Sequence, residues 1–252
     1  MFNYNLPKID AIVTSSGYTL QNGDLYPRVS AILNMANFGG DILKKWEYSL
    51  FKKYINNQAG TSFTKEQMTD IADKAYNSPK LVVKGACNFG TDSHKYIEDQ
   101  LTQGIITPIP PQDYADAQIM MKSIDKFFKD YGINKENTVA CEQFVYSTVY
   151  KVAGTIDYIM EKNGFWHILD WKTSSHISPK YPLQIACYIK MLEERLKEWG
   201  IDKKIAGATI VKFEKKTAGY ELFCFTREEA DRYFNLFLDC LNLYNYEKSF
   251  NF

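Results

Sequence analysis

The chain has 252 residues, 45% hydrophobic and 24% charged, with 30 Lys and Arg balancing 30 Asp and Glu. That length suits one large domain, or one domain with a small appended lobe, and the composition is that of a soluble globular protein. The neutral balance argues against a globally basic nucleic-acid binder. No apolar run approaches the roughly 18–20 residues of a membrane span.

The first ten residues lack the basic stretch and apolar core of a secretion signal, and no arginine precedes Arg28, unlike a mitochondrial transit peptide. A cytoplasmic location is expected. Cys87, Cys141, Cys187, Cys224 and Cys240 are odd in number and scattered, with no C-x-x-C pair. They suit neither a disulfide framework nor a zinc or iron–sulfur site, and are expected to be buried, reduced thiols. Local lysine groups at 44–45, 52–53, 203–204 and 212–216 are candidate phosphate-facing patches, although each alone also fits a solvated face.

The stretch through about Ser78 reads as a helical lobe. Tyr26-Pro27-Arg28-Val29-Ser30 leads into Ala31–Met35, a short helix with Ser30 as its cap. Asp41–Tyr54 and Thr64–Tyr76 follow as amphipathic helices, the second opened by Thr64. Another helix begins near Gly90 and stops near Gly104. Pro108-Ile109-Pro110-Pro111 is a loop, and Tyr114–Tyr131 is again helical.

Then the texture changes. Thr138–Tyr146, Val149–Met160 and Phe165–Thr173 are rich in β-branched and aromatic residues, as strands are. Pro182 and Gly200 frame a helix of about 18 residues. Ile205–Phe213 and Gly219–Phe225 are two more strands, and Thr226-Arg227-Glu228-Glu229 is a capping box opening a last helix to about Tyr244. The expected fold is α/β: a central mixed sheet of about five strands flanked by helices, preceded by a helical lobe. The expected domains are 1–85, the lobe, and 86–252, the core.

The sharpest local signal is Asn163-Gly164 between two strand-like runs, the mark of a two-residue type I′ hairpin. Paired residues then sum to 327, and so do Asp157 and Asp170. They are expected to face each other across the ladder, with Cβ atoms about 4.5–5.5 Å apart. Lys172 shares the face of Asp170, and Trp171 points away. Two carboxylates opposite one another destabilise a sheet unless neutralised, and a divalent cation would do so; oxygen ligands suit Mg²⁺ or Mn²⁺. The bland alternative is an exposed hairpin with Asp170–Lys172 charge relief. Ile156, Ile159, Ile168 and Leu169 argue against it, because they make the hairpin look buried.

Gly154-x-x-Asp157, then Asp170-x-Lys172, then Gln184-x-x-x-Tyr188 resembles the RecB-type branch of the PD-(D/E)XK nucleases, whose core is the restriction-endonuclease-like sheet. Gly90-x-x-x-His94 is similar to that branch's histidine motif. Pro27-Arg28-Val29-Ser30, the His94/Glu98 pair and Asp170-Trp171-Lys172-Thr173-Ser174 are similar to the mitochondrial genome maintenance exonuclease group. The resemblance runs from about Tyr26 to Tyr188. Any one motif is weak; their order is specific. Two departures stand out: these cysteines cannot build the iron–sulfur cluster of some RecB-type relatives, and the mitochondrial members' transit peptide is absent. A bacterial cell, or a host infected by a phage or virus, is the expected setting.

The resemblance implies a catalytic set of Asp157, Asp170, Lys172, Gln184 and Tyr188. It implies a metal set of Asp157, Asp170, the Trp171 backbone carbonyl and His94, with Glu142 as a further ligand or merely an edge-strand acid. A lone helical histidine is usually structural; its place after Gly90 favours a ligand. Glu98 either supports the site or lies on the helix surface, and His167 and His176 are taken as structural. Lys172 would align or help deprotonate the attacking water and offset charge on the phosphate, in an in-line, ion-assisted hydrolysis of a phosphodiester. Arg28, Ser30, Lys44, Lys45, Trp46, Lys52 and Lys53 are the candidate DNA contacts, with Tyr26, Phe38 and Tyr48 as further stacking aromatics.

The leading function is thus a Mg²⁺- or Mn²⁺-dependent exonuclease on single-stranded DNA, in replication, recombination or repair, with proteins of those processes as partners and no membrane. The alternatives are a restriction-type or structure-specific endonuclease, and a non-catalytic nucleic-acid-binding module. A nucleotide-hydrolysing motor finds no support, because there is no G-x-x-x-x-G-K-[ST] loop.

Overall fold

A computed structural model describes residues 6–14, 16–36, 40–58, 60, 62–110 and 115–250. The chain divides into two compact units, Met1–Ala36 with Asp92–Phe252, and Asn37–Thr91.

In the unit Asn37–Thr91, helix α2 (Gly40–Asn56) buries none of its residues fully. Helix α3 (Lys65–Thr102) is continuous where two separate helices were expected, and it runs through Pro79. A proline inside a helix deprives the carbonyl four residues earlier of its hydrogen bond. Here that carbonyl, Ala75 O, accepts instead from Ser78 Oγ at 2.8 Å, which replaces the missing donor. Thr64 opens the helix as expected: its Oγ accepts from Gln67 N, and Gln67 Oε1 accepts from Thr64 N.

The larger unit begins with a small antiparallel sheet, β1 (Ala11–Val13), β2 (Tyr18–Leu20) and β3 (Leu25–Tyr26), too short to announce itself in the sequence. Helix α1 (Val29–Leu33) follows, and its cap is Arg28 rather than Ser30. The Arg28 carbonyl accepts the first helical bonds, and Arg28 is held extended because it bridges Ala153 of the main sheet. Helix α4 (Ala117–Tyr131) ends on Gly132 at φ 66, and the expected start at Tyr114 lies outside the described residues.

The main sheet has the order β4-β5-β6-β7-β8, from Thr138–Ser147, Val152–Lys162, Phe165–Lys172, Ile205–Phe213 and Tyr220–Thr226. Only β6 and β7 are parallel, joined through α5 (Lys180–Glu198) as a crossover; the other pairs are antiparallel. Helix α6 (Arg227–Lys248) opens with the expected capping box at Thr226. This is the mixed five-stranded α/β arrangement anticipated above.

Helices α1, α5 and α6 bury Ile32, Ile185, Ile189, Phe234 and Phe237 in one cluster with Ile156, Ile168 and Ile210 of the sheet. Alternation along β6 and β7 turns Trp171 and Phe213 the other way, where they meet Phe127 of α4 at ring-centroid distances of 5.9 and 6.1 Å. With both faces covered, polar groups at the end of β6 lie in a low-dielectric setting.

Gly154 shows how closely α5 lies on the sheet. A Cβ there would sit 2.5 Å from Tyr188 Cε1, inside van der Waals contact. Gly154→Ala is therefore expected to cost about 1–3 kcal/mol in chemical denaturation, an overpacking penalty. Adding Tyr188→Leu should reduce that increment, because the two sites share one contact.

Candidate functional site

The turn Asn163-Gly164 has both residues at positive φ, 55 and 82. The ladder runs as expected from Lys162↔Phe165 to Tyr158↔Leu169. It stops there, one pair short of Asp157 and Asp170. Beyond that point β6 pairs only with β7, from Asp170↔Ile210 to Lys172↔Lys212, while β5 continues along β4. The strands part at the carboxyl end of β6, and the Trp171 N–H, which has lost its strand partner, donates to Asp157 Oδ2 at 2.8 Å. A buried N–H must find an acceptor, and here a carboxylate supplies it.

The neighbour of Asp157 across the other ladder is Glu142, between the pairs Cys141↔Tyr158 and Gln143↔Ile156. Glu142 has φ 48, a left-handed conformation that costs a non-glycine residue about 1–3 kcal/mol and that clusters at functional sites. Its Oε1 lies 3.5 Å from His94 Nδ1, and Asp157 Oδ2 lies 3.9 Å from the same nitrogen. His94 Nε2 is 3.2 Å from the Trp171 carbonyl. One ligand atom each from His94, Glu142 and Asp157 falls within 4.8 Å of the others, a spacing at which one ion could be held.

Asp170 stands outside that trio. It is 2% exposed, and its Oδ2 lies 2.6 Å from Lys172 Nζ. Beyond that ion pair, neither carboxylate oxygen has a hydrogen-bond partner among the described residues. Buried acids without hydrogen bonds are costly unless a cation compensates. A buried carboxylate paired with Lys172, beside a ready trio of N and O donors, fits a hard divalent ion.

The electrostatics follow from burial. Desolvation pushes Asp170 up to about 6, against the pull of Lys172, and also raises Asp157. Burial works against a charged His94, yet Asp157 and Glu142 outweigh it and hold the imidazole up at about 9. Lys172 is likewise raised: desolvation opposes its charge, and Asp170 and Asp157 overcome that opposition. Three acids and two cations thus share one pocket.

Helix α5 contributes Gln184 and Tyr188, joined by Gln184 Nε2 donating to Tyr188 Oη at 2.8 Å. Tyr188 is 5% exposed, and burial holds its hydroxyl well above the usual range. Tyr181, whose ring centroid lies 4.7 Å from Lys172 Nζ, was not among the expected site residues. It could have been found, because 181, 184 and 188 recur at helical spacing.

The nucleic-acid candidates belong to both units. Arg28 Nη2 donates to the Thr14 carbonyl, its guanidinium lies 5.5 Å from the Tyr18 ring centroid, and Ser30 is exposed on α1. Lys44, Lys45, Lys52 and Lys53 are exposed on α2 in the other unit, Trp46 is half-buried and Tyr48 exposed. Tyr26 is buried at 2% exposure and is core, not a stacking surface. Phe38 lies outside the described residues. Lys212 faces no phosphate: it is buried and pairs with Glu221, its register partner on β8, and with Glu214. Lys203 pairs with Glu161. Cys187 and Cys240 are buried as expected, but Cys87 and Cys224 are exposed, because an apolar neighbourhood in sequence does not decide which face of an element a residue takes. His176 is exposed beside Ser175, and His167 is half-buried. No helix among the described residues is long and apolar enough to cross a membrane.

If the trio holds an ion, Mn²⁺ at a hundredfold excess over Kd should stabilise the native protein by about 2.7 kcal/mol. In Asp157→Asn that gain should vanish, while metal-free stability holds, because an amide oxygen still accepts from Trp171 N. Differential scanning fluorimetry with and without Mn²⁺ measures both; an undiminished gain in the variant would remove Asp157 from the site. The family model described as PD-(D/E)XK nuclease superfamily matches residues 89–247. No curated protein matches the sequence.

Proposed function

The chain belongs to the PD-(D/E)XK nuclease superfamily, whose members hydrolyse phosphodiester bonds with divalent metal ions, and we propose that it is a Mg²⁺- or Mn²⁺-dependent exonuclease of single-stranded DNA. The observation that carries the proposal is the convergence of His94, Glu142 and Asp157 beside the buried Asp170–Lys172 pair, at the place where β5 and β6 part. The order of its motifs supports membership of the RecB-type branch, near the mitochondrial genome maintenance exonuclease group. Replication, recombination or repair in a bacterial or phage-infected cell is the matching setting.

His94, Glu142, Asp157, Asp170 and the Trp171 carbonyl would hold the ion, which when bound supplies Lewis-acid polarisation of a phosphate oxygen and activation of water. The remaining work belongs to the side chains. Lys172 is kept charged by Asp170 and Asp157, so its ammonium can face the charge that grows on the phosphate during in-line attack. The Asp170 contact fixes that ammonium before substrate arrives. Asp157 uses one oxygen to anchor Trp171 N, which fixes the carboxylate and the neighbouring Trp171 carbonyl relative to one another. Gln184 holds the Tyr188 hydroxyl, which makes the pair a neutral donor group suited to positioning rather than proton transfer.

Arg28 is proposed to meet a phosphate near the site, with Ser30 beside it. The exposed lysines 44, 45, 52 and 53, with Trp46, are proposed to bind the strand through the unit Asn37–Thr91. A weak, salt-sensitive phosphate grip with aromatic stacking suits single strands.

The test is degradation of end-labelled single- and double-stranded DNA, with 5′ or 3′ ends blocked, in Mg²⁺ and Mn²⁺. The expected outcome is ladder formation from one free end of the single strand only. Lys172→Ala should lower the rate by at least about 10²-fold, the scale of losing one preorganised electrostatic contact. Cleavage of a closed circular strand would convert the reading to an endonuclease, and undiminished cleavage by Lys172→Ala would remove the lysine's role.

A further inference from the structure

Lys172 has two holders, and only one of them is an acid. Its Nζ lies 2.6 Å from Asp170 Oδ2 on one side, and 4.7 Å from the centroid of the Tyr181 ring on the other. Its side chain is 16% exposed, so the ammonium is largely withdrawn from water. A cation over an aromatic face is attracted by the ring quadrupole, and the attraction grows as the cation is desolvated.

Tyr181 is the second residue of α5, and its N–H is fixed by the Ser178 carbonyl. Gln184 follows three residues later and Tyr188 seven, the i, i+3, i+7 pattern that brings residues to one helix face. The same face that places the Gln184–Tyr188 pair therefore places an aromatic ring against the lysine. The two contacts differ in what they demand of the site. Asp170 is a buried acid already ion-paired with Lys172, so any further cation bound there competes with Lys172 for it. The Tyr181 ring offers a π face that a hard divalent cation, which prefers oxygen donors, contests poorly.

We propose that Tyr181 is a positioning residue for Lys172. Its ring keeps the ammonium aimed at the reacting phosphate when the carboxylate of Asp170 is engaged elsewhere. The role depends on the ring face and not on the hydroxyl. This inference rests on the nuclease reading of Lys172.

Tyr181→Phe retains the ring and Tyr181→Leu retains only bulk. Single-turnover cleavage of single-stranded DNA is expected to leave Tyr181→Phe within about twofold of the wild type, and to lower kcat of Tyr181→Leu on the order of tenfold. KM and the Mn²⁺-dependent melting shift should change little in either. A readout independent of turnover comes from the proton resonances of the Lys172 ε-methylene. Ring current should shift them upfield in the wild type and in Tyr181→Phe, and the shift should be lost in Tyr181→Leu. A Tyr181→Leu enzyme with wild-type kcat, a Tyr181→Phe enzyme as slow as Tyr181→Leu, or a loss confined to KM would each overturn the proposal. Failure of the wild type to cleave any DNA would overturn the nuclease reading, while the resonance shift would still report whether the ring holds the lysine.

Discussion

The site turns on a single hydrogen bond, from the Trp171 N–H to Asp157 Oδ2. Strands β5 and β6 must separate for anything to bind between them, and separation leaves a backbone donor exposed inside the fold. A side-chain oxygen of the strand that has left serves it. The same oxygen lies 3.9 Å from His94 Nδ1, so one carboxylate atom both closes the sheet and faces the candidate ion site. The Trp171 carbonyl on the same residue lies within 3.2 Å of His94 Nε2, so the bond also registers the end of β6 against α3.

Around that bond the charges are arranged so that none is tolerable alone. Asp170 is nearly inaccessible, and its charge is met by Lys172. Glu142 sits in a left-handed conformation within a strand. Buried charge and backbone strain each cost free energy that packing elsewhere must offset. The sheet can bear them because both its faces are covered, by aliphatic side chains of α1, α5 and α6 and by the aromatic group around Phe127 and Trp171. The same covering lowers the local dielectric and makes the charges effective on a substrate.

Helix α5 links fold and chemistry. It is the crossover that makes β6 and β7 parallel, and a parallel strand leaves its carboxyl end open to a ligand. The absence of a side chain at Gly154 lets α5 approach until the Tyr188 ring fills that space. Tyr181, Gln184 and Tyr188 then reach the end of β6 from one face of the helix.

Much of this was legible in the chain itself. Asn163-Gly164 fixed a two-residue turn, because only residues tolerant of positive φ close one, and the register followed by arithmetic. Thr226 with Glu229, and Gly200, marked helix ends through local bonds that need no tertiary partner. What local reasoning could not reach depended on distant residues. The ladder stops at Tyr158↔Leu169 because β7 takes over β6, a competition between strands far apart in sequence. Glu142 faces Asp157 through a register set by the longer connection at residues 148–151, which no turn signature specifies. Arg28 displaces Ser30 as a cap because it bridges Ala153, and Lys212 is spent on Glu221 because β8 lies beside it. Periodicity and turn chemistry decide what each segment can be; which carboxylates meet, and which lysine remains free to act on a phosphate, is decided only when the strands choose their neighbours.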